Sequence, residues 1–312
     1  MKPKRLCITA LLLGIICSCS SDSSSKIEQA DYLPLNNAPS TGNTAGDNLP
    51  NDTAYNTAAL VKQYHCNTNT VIYAETELNF AAICQNLAEV ELLFFEHFGS
   101  IPVTGDNNLN RNLYLYKDRV SYLGVGFNAS SYGKYIEKNP NDINSPDEIY
   151  SYLLNTGKVK NLSHEYIHYL DGRFNKEGDY HATDVAAWWT EGIAEYLQHL
   201  YWHVPSSFIK ESISDYGDNF SLTTIFSLTK DDYKTDFFNL VYDGGNVALC
   251  YFLQEEPNAL KTLLSHSRSG NWSAWSNELT NLDANYGEDF AIFVTDILNN
   301  KKFCHGKTGK KV

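Results

Sequence analysis

Apolar and polar positions are distributed unevenly along the chain. A basic start is followed by a short apolar run, residues 8–16, and then by a polar stretch over residues 20–58 that has no helical or strand periodicity. The apolar run is too short to span a bilayer, and this order of segments is typical of an export leader. The pattern predicts a signal peptide at residues 1–18, a disordered tether at residues 19–58 and a folded domain at residues 59–305.

Helix and strand patterns alternate in the first half of the folded domain. Thr76 is suited to cap a helix that carries apolar residues at helical spacing. Alternating side chains predict strands at residues 112–116 and 132–137, and the polar residues 139–146 predict a loop. A further helix is predicted at residues 147–154.

Helical patterns dominate the second half of the domain. Apolar residues recur at helical spacing over residues 238–254, 257–265 and 290–299. We therefore predict an α+β fold with a small mixed sheet, divided into subdomains at about residues 59–204 and 205–305. The hydrophobic content of 43% is sufficient for a packed core.

Two histidines lie four residues apart in a segment with a helical pattern. The segment from Leu162 to Arg173 reads LSHEYIHYLDGR and contains His164, Glu165 and His168. Positions i and i+4 share one face of a helix, so the two imidazoles can bind one Zn²⁺ ion. Glu165 is adjacent to that face, which suits a general base that acts on water at the metal. A solvated helix face is the alternative interpretation of the same residues.

Two glutamates with the same spacing follow in a second helical pattern, residues 185–197. Glu191 and Glu195 share one face, where two carboxylates repel each other unless a cation or a proton donor lies between them. This repulsion is removed if Glu191 is the third zinc ligand and Glu195 accepts an N–H from a ligating histidine. An acidic surface helix is the alternative interpretation.

Other residues near the motif compete for the role of third ligand. The metzincin pattern requires a glycine seven residues and a histidine ten residues after the first motif histidine, where this chain has Asp171 and Phe174. Glu177, His181 and Asp184 remain as rivals in a predicted loop. None of these three rivals has a second carboxylate behind it. The pair of Glu191 and Glu195 is therefore favoured to supply the third ligand.

The segments around both pairs resemble those of the bacterial collagenases, which are gluzincin zinc metallopeptidases. Residues 164–173 are similar to that family's HEYxHYLxGR segment, and residues 189–196 (WTEGIAEY) are similar to its W-x-E-G-x-A-E-[YF] segment. Residues 133–137 (GKYIE) are similar to its G-G-x-Y-I-E strand, although Tyr132 replaces the first glycine. The resemblance covers roughly residues 60–300 and implies a gluzincin-type metallopeptidase fold.

The resemblance also implies site residues and a substrate class. It implies a zinc endopeptidase in which Glu191 joins the two histidines as a ligand, Glu137 binds a calcium ion, and a tyrosine of the helical half stabilises the oxyanion. Tyr242, which precedes two glycines, is the candidate for that tyrosine. The implied substrates are peptides or proteins, including collagen-derived or gelatin-type ones. The implied architecture is a stand-alone peptidase domain without the family's activator domain.

Two other functions are open at this point. The first is a non-catalytic surface lipoprotein that binds peptide or matrix ligands on a peptidase fold, and the presence of Glu165 disfavours it. The second is a gluzincin aminopeptidase, which should carry an exopeptidase loop such as Gly-x-Met-x-Asn before the zinc helix. The sequence has no such loop, which favours an endopeptidase.

Charge and the leader define the setting in which the chain works. The net charge is −13 at pH 7 and no basic patch with interleaved aromatic residues is present, so a nucleic-acid partner is not expected. Residues 16–19 (ICSC) fit a lipobox in which Cys19 is acylated, with a hydrophilic stretch directly after it. We therefore expect an exported protein that is lipid-anchored to the bacterial cell envelope, or secreted.

The remaining cysteines predict disulfides because their number is even and the chain is exported. They are Cys66, Cys84, Cys250 and Cys304, which allow three different connectivities. Proximity along the chain favours the pairs Cys66–Cys84 and Cys250–Cys304, and reduced buried thiols are the alternative.

Overall fold

The computed structural model describes residues 55–99, 101–138, 145–175, 186–205 and 207–305. Several predicted features lie outside these residues: the signal peptide with Cys19, the tether as far as residue 54, most of the loop at residues 139–146, and the rival ligands Glu177, His181 and Asp184.

A five-stranded mixed sheet forms one layer of the fold. Its strands are β1 (Lys62–Asn67), β2 (Thr70–Ala74), β3 (Arg111–Tyr116), β4 (Lys134–Ile136) and β5 (Asp147–Tyr152). The order across the sheet is β1-β2-β3-β5-β4, with β2, β3 and β5 parallel and the two outer strands antiparallel to their neighbours. The short strand β4 therefore forms one edge.

Two helices lie between the strands in the chain, and the other described helices follow the last strand. They are α1 (Phe80–Phe98), α2 (Arg119–Leu123), α3 (Leu162–Gly172), α4 (Ala187–Trp202), α5 (Ser207–Tyr216), α6 (Leu222–Ser227), α7 (Gly245–Glu255), α8 (Pro257–Arg268) and α9 (Trp272–Leu298). Short 3₁₀ turns cover Gly217–Asn219 and Lys230–Lys234, and a π-helical turn, Leu240–Gly244, leads into α7. The α+β class, with a small mixed sheet and a mostly helical C-terminal half, is confirmed.

The helix predicted at residues 147–154 is wrong, because this segment forms strand β5. Ile149, Tyr150, Ser151 and Tyr152 are all buried, so neither face of the strand shows the polar alternation of a half-exposed strand. The strand lies between β3 and β4, where aromatic and β-branched side chains pack well on a pleated surface. Burial on both faces removed the period-two signal that would have identified it.

Other boundaries differ less from those predicted. Helix α1 begins at Phe80 rather than after Thr76, because the side chain of Asn79 accepts a hydrogen bond of 3.2 Å from the backbone N–H of Ala82 and caps the helix. The strands predicted at residues 112–116 and 132–137 correspond to β3 and a shorter β4. The three predicted C-terminal helices correspond to the π turn with α7, to α8 and to the end of α9.

The main core lies between the sheet and the helices that cover one of its faces. Phe94 of α1, Leu113 of β3 and Ile149 of β5 are fully buried in the same apolar cluster as Tyr166 of α3. Every residue of α3 is buried, including its polar ones. A buried polar side chain is tolerated only where it has hydrogen-bonding or charged partners, so α3 must find such partners inside the protein.

Helices α4 and α7 approach each other closely through two glycines. A Cβ atom on Gly192 would lie 2.5 Å from the carbonyl carbon of Gly245, and a Cβ atom on Gly245 would overlap the carbonyl oxygen of Trp188. Only glycine at both positions allows this separation. The contact fixes α4, which carries Glu191, against the C-terminal half.

Both predicted disulfides are present. Cys66–Cys84 joins β1 to α1, and Cys250–Cys304 joins α7 to the segment after α9. Each disulfide restricts the unfolded chain by closing a loop, which contributes about 3–4 kcal/mol to the free energy of unfolding. Among the described helices, none combines the length and the apolar composition that crossing a membrane requires.

Candidate metal centre

Helices α3 and α4 bring two histidines and one glutamate together. His164 and His168 lie one turn apart on α3, and their ring centroids are 4.7 Å from each other. Glu191 projects from α4 so that its Oε2 atom lies 3.1 Å from His164 Nε2 and 3.5 Å from His168 Nε2. The side chains that the sequence pairs by i, i+4 spacing thus converge from two helices on one point.

These three side chains fit a tetrahedral metal ion. One ligand atom of each lies within 4.8 Å of the others, and all three residues are buried. Donor atoms held at 2.0–2.1 Å around a tetrahedral Zn²⁺ ion are separated by about 3.3 Å, which is close to the observed distances. Among the described residues this is the one group with suitable spacing, so the residues present fit the ion that the sequence predicts.

The charges of the three side chains are strongly coupled. Burial raises the pKa of Glu191, but both histidines outweigh it and hold that pKa well below its usual range. Burial lowers the pKa of His164, but its hydrogen bond to Glu191 and the nearby carboxylates outweigh it and raise the pKa to about 9. A proton and a metal ion therefore compete for the same nitrogen of His164.

Glu195 lies behind the metal ligands, on the other side of the His164 ring. Its Oε1 atom is 3.6 Å from His164 Nδ1, just beyond hydrogen-bonding distance. Its Oε2 atom is 2.9 Å from Nε2 of His199, one helical turn further along α4. Burial raises the pKa of Glu195, but His199 and His164 outweigh it and the pKa is lowered. Glu195 thus places a negative charge beside the Nδ1 atom of His164, where an acceptor could fix the tautomer of a metal-binding histidine.

Glu165 is held against the start of the edge strand. Its side chain is buried, and a Cβ atom on Gly133 would lie 2.6 Å from its Oε1 atom, so this approach requires glycine. Burial raises the pKa of Glu165, Glu191 raises it further, and the two histidines oppose this without reversing it. A carboxylate with a raised pKa is better suited to accept and return a proton near neutral pH.

Tyr132, which stands where the resemblance expects a glycine, turns away from this contact. Its ring lies under two cations, with the guanidinium of Arg119 at 4.8 Å and the ammonium of Lys160 at 5.4 Å from the ring centroid. The close approach to Glu165 is made by Gly133. The departure at position 132 is therefore compatible with the position of the carboxylate.

Two tyrosines of the C-terminal half line the same centre. The Tyr233 hydroxyl donates a hydrogen bond of 3.0 Å to Glu191 Oε1. The ring of Tyr242, on the π turn, stacks on His164 with a centroid separation of 6.1 Å. Burial raises the pKa of Tyr242 well above its usual value, and Glu191 raises it further, so its hydroxyl stays protonated. Sequence reasoning missed Tyr233, since nothing local distinguishes it among 21 tyrosines.

Glu137 lies at the end of β4, apart from the three-residue group. It is 6% exposed, and its Oε1 atom accepts a hydrogen bond of 3.1 Å from Asn108 Nδ2. The nearby Asp147 is also buried and accepts hydrogen bonds from the Tyr135 hydroxyl at 2.8 Å and the Lys138 backbone N–H at 3.0 Å.

Comparison with known proteins identifies relatives of this chain. The sequence model of peptidase family M9, described as collagenase, matches residues 41–293. A microbial collagenase of Vibrio parahaemolyticus serotype O3:K6 (strain RIMD 2210633) is 29% identical over 246 residues, which are 74% of this chain and 29% of that protein. One from Vibrio vulnificus (strain CMCP6) is 29% identical over 247 residues, 74% of this chain and 30% of that protein.

A third relative is similar to the same extent. It is a microbial collagenase of Vibrio alginolyticus, 28% identical over 255 residues, which cover 77% of this chain and 30% of that protein. The chain therefore spans less than a third of the length of these curated relatives.

Proposed function

This chain belongs to the collagenase family of peptidases, and from that premise we propose that it is a zinc-dependent metalloendopeptidase. We propose further that it acts on collagen-derived or gelatin-type peptides outside the cell. The observation that carries the proposal is the convergence of His164 Nε2 and His168 Nε2 on Glu191 Oε2, at 3.1 and 3.5 Å, in a buried setting. Two buried histidines and a buried carboxylate form the donor set of a catalytic zinc site.

Bound zinc would supply Lewis-acid chemistry: it would polarise the scissile carbonyl and make water acidic enough to lose a proton near neutral pH. The residues of the chain then handle the proton and the charge. Glu165 accepts the proton of the attacking water on a carboxylate oxygen and returns it to the leaving amine. Its raised pKa suits both halves of that transfer.

A hydrogen-bond donor must also stabilise the negative charge that develops on the carbonyl oxygen. We propose Tyr242 for this role, because its ring stacks on His164 and its hydroxyl remains protonated. Tyr233 is a second candidate, since its hydroxyl is 3.0 Å from Glu191. Both tyrosines come from the C-terminal half, so that half completes the site.

The edge strand β4 supports an extended peptide as the substrate. A strand at the edge of a sheet offers unpaired backbone groups, and a peptide can add to it as a further strand. Gly133 precedes β4 and touches Glu165, so a peptide paired with β4 would pass directly over the general base. The preference for collagen-derived sequences rests on family membership and on the names of the relatives.

Two further parts of the proposal concern the surroundings of the enzyme. We propose that Cys19 is acylated and anchors the exported chain, which metabolic labelling with a fatty acid in wild type and Cys19→Ser would test. We propose that Glu137 contributes to a calcium site, since it is a buried carboxylate beside the amide of Asn108. If so, added Ca²⁺ should raise the Tm of the wild type but not that of Glu137→Gln.

The test of the main proposal separates the base from the ligand. Zinc-loaded full-length chain is assayed on gelatin and on a fluorogenic peptide, with zinc per chain measured in parallel. Glu165→Gln should lose about 10²–10⁴-fold in kcat/KM while retaining about one zinc per chain. Glu191→Gln should lose the zinc itself. Glu77→Gln, on an exposed side chain in an ion pair with Lys62, is the matched control and should change neither quantity.

The possible failures have different meanings. A zinc-loaded wild type that binds gelatin without cleaving it would favour the non-catalytic lipoprotein. Full activity in Glu165→Gln would remove that residue from the mechanism. Full zinc occupancy in Glu191→Gln would point to a different third ligand.

A further inference from the structure

A row of polar side chains, of which Glu195 is partly exposed and the other two are buried, leads away from the proposed metal centre along α4. Glu191, Glu195 and His199 follow one another at i+4 spacing and therefore lie along one face of the helix. Glu191 faces the two histidines of α3, Glu195 faces the far nitrogen of His164, and His199 Nε2 lies 2.9 Å from Glu195 Oε2. The row thus continues past the residues that the proposed function uses.

Helix α7 carries a second row that holds the segment following α9. Asn246, Cys250 and Gln254 have the same i+4 spacing on one face of this helix. They contact three consecutive residues: Asn246 Oδ1 lies 3.0 Å from His305 Nε2, Cys250 forms a disulfide with Cys304, and Gln254 Nε2 donates a 3.0 Å hydrogen bond to the Phe303 carbonyl. The chain at residues 303–305 is therefore fixed residue by residue along α7.

The two rows meet where Asn246 Nδ2 lies 3.0 Å from His199 Nδ1. Asn246 is 0% exposed, His305 is 3% exposed and His199 is 5% exposed, so solvent does not compete for these contacts. The rows together form one path from His305 through Asn246, His199 and Glu195 to His164, a ligand of the proposed metal site.

With His199 neutral, the hydrogen bonds of this path have one consistent direction. The carboxylate of Glu195 only accepts, so His199 must donate from Nε2 and, when neutral, accept at Nδ1. Asn246 must then donate its amide N–H to His199, which leaves its carbonyl oxygen to accept from His305 Nε2. With His199 neutral, the reverse orientation of the Asn246 amide would place its carbonyl oxygen against the acceptor Nδ1 of His199.

The state of His305 agrees with this direction. Burial lowers the pKa of His305 well below its usual value, so the imidazole is neutral. Its Nδ1 atom has no hydrogen-bond partner among the described residues, so the single ring proton belongs on Nε2, facing Asn246. The end of the path is therefore a fixed donor.

We propose that Asn246 and His305 are positioning residues that act through His199 and Glu195 to hold His164 in its metal-binding tautomer. This inference rests on the proposed metal site. Glu195 Oε1 lies 3.6 Å from His164 Nδ1, and its negative charge on this side of the ring favours a proton on Nδ1, which leaves the Nε2 lone pair for the ion when it binds. The Cys250–Cys304 disulfide keeps His305 in place for this role.

The test measures the affinity for Zn²⁺ by competition with a chelator, together with the Tm of the zinc-free full-length chain. His305→Phe and Asn246→Leu preserve volume and remove the hydrogen bonds, and each should weaken Zn²⁺ binding by about 10–100-fold. His305→Gln keeps a donor and should retain most of the affinity. Equal affinities for the Gln and Phe variants would overturn the proposal, as would a lowered Tm with unchanged Zn²⁺ affinity.

Two further comparisons separate positioning from general destabilisation. In a Glu195→Gln background, His305→Phe should weaken Zn²⁺ binding by less than about 2-fold more, because both changes act on the same path. If the double variant loses as much Zn²⁺ affinity as the product of the two single losses, the proposal is overturned. Replacing both cysteines of Cys250–Cys304 by serine should weaken Zn²⁺ binding, whereas the same change at Cys66–Cys84 should not.

If the two disulfide variants lose Zn²⁺ affinity equally, the anchoring role is refuted. A wild type that binds no Zn²⁺ would instead refute the proposed function, and with it the site on which this inference depends.

Discussion

Replacing Gly133 by alanine should impair catalysis without removing the metal. The added methyl group would lie 2.6 Å from Oε1 and 2.8 Å from Cγ of Glu165. Non-bonded atoms of these types come to rest at roughly 3.4 Å or more, so the carboxylate must move by about 0.7 Å. Gly133 is not among the glycines with a positive φ, so the backbone accepts alanine without strain.

The size of the effect follows from that displacement. A misplacement of about 1 Å at a reacting group can reduce the rate about 10²-fold, which corresponds to about 2.7 kcal/mol in the activation free energy. The atoms that must move belong to the end of one side chain, so the free energy of unfolding should fall by only about 1 kcal/mol. The three atoms nearest to the new methyl group all belong to Glu165 and not to the proposed zinc ligands, so zinc content should not change.

The assay measures kcat/KM on a fluorogenic peptide, zinc per chain and Tm for Gly133→Ala. Gly287→Ala in α9 is the matched control, because its new methyl group would meet only the Asp283 side chain at 3.2 Å. This control should keep full activity and gain slightly in Tm, since alanine favours the helix by about 1 kcal/mol. Activity of Gly133→Ala within about 3-fold of the wild type would refute the steric argument, as would loss of zinc.

Three other outcomes are expected. Gly245→Ala should lower the free energy of unfolding by at least about 1–3 kcal/mol, because its methyl group would overlap the Trp188 carbonyl oxygen and separate α4 from α7. An unchanged midpoint of unfolding in urea would contradict this. Burial raises the pKa of Asp147 to about 6, so its stabilising contribution is complete below about pH 4 and is lost as the pH rises through 6. Asp147→Asn should therefore flatten the stability profile between pH 4 and 6 by on the order of 2–3 kcal/mol, and an unaltered slope would exclude this carboxyl as the cause. If the hydroxyl of Tyr242 stabilises the oxyanion, Tyr242→Phe should lower kcat about 10²-fold with little change in KM. If only Tyr233→Phe shows this loss, Tyr233 and not Tyr242 has that role.

Local spacing accounts for the features that could be predicted from the sequence. His164 and His168, and likewise Glu191 and Glu195, are each one helical turn apart, so the two pairs could be placed on helix faces without knowledge of the fold. What spacing cannot give is the angle at which α3 and α4 cross. That angle brings Glu191 Oε2 to both histidines, and the expectation for Glu191 rests on the repulsion between the paired glutamates and on the resemblance to a family.

The missed features depend on contacts between distant parts of the chain. The sequence of strand β5 predicts a helix because the strand is buried on both faces, and its identity as a strand follows from its pairing with β3 and β4. Tyr233 lies 42 residues from Glu191 in the sequence, and only the packing of the C-terminal half onto α4 joins them. His199 is different, since it lies one turn beyond Glu195 and the i+4 rule could have found it.

The entirely buried helix α3 explains why the metal centre and the core cannot be separated. Its two histidines and Glu165 are inside the protein, and Glu191 of α4 is buried with them. Buried ionisable groups on one helix are costly unless each has a partner, and a divalent ion would balance the carboxylates at this centre while leaving both imidazoles neutral. Without the ion, His164 must carry a proton to offset Glu191, as its raised pKa indicates. Metal binding should therefore release a proton and stabilise the fold together, so zinc would complete the core as well as the active site.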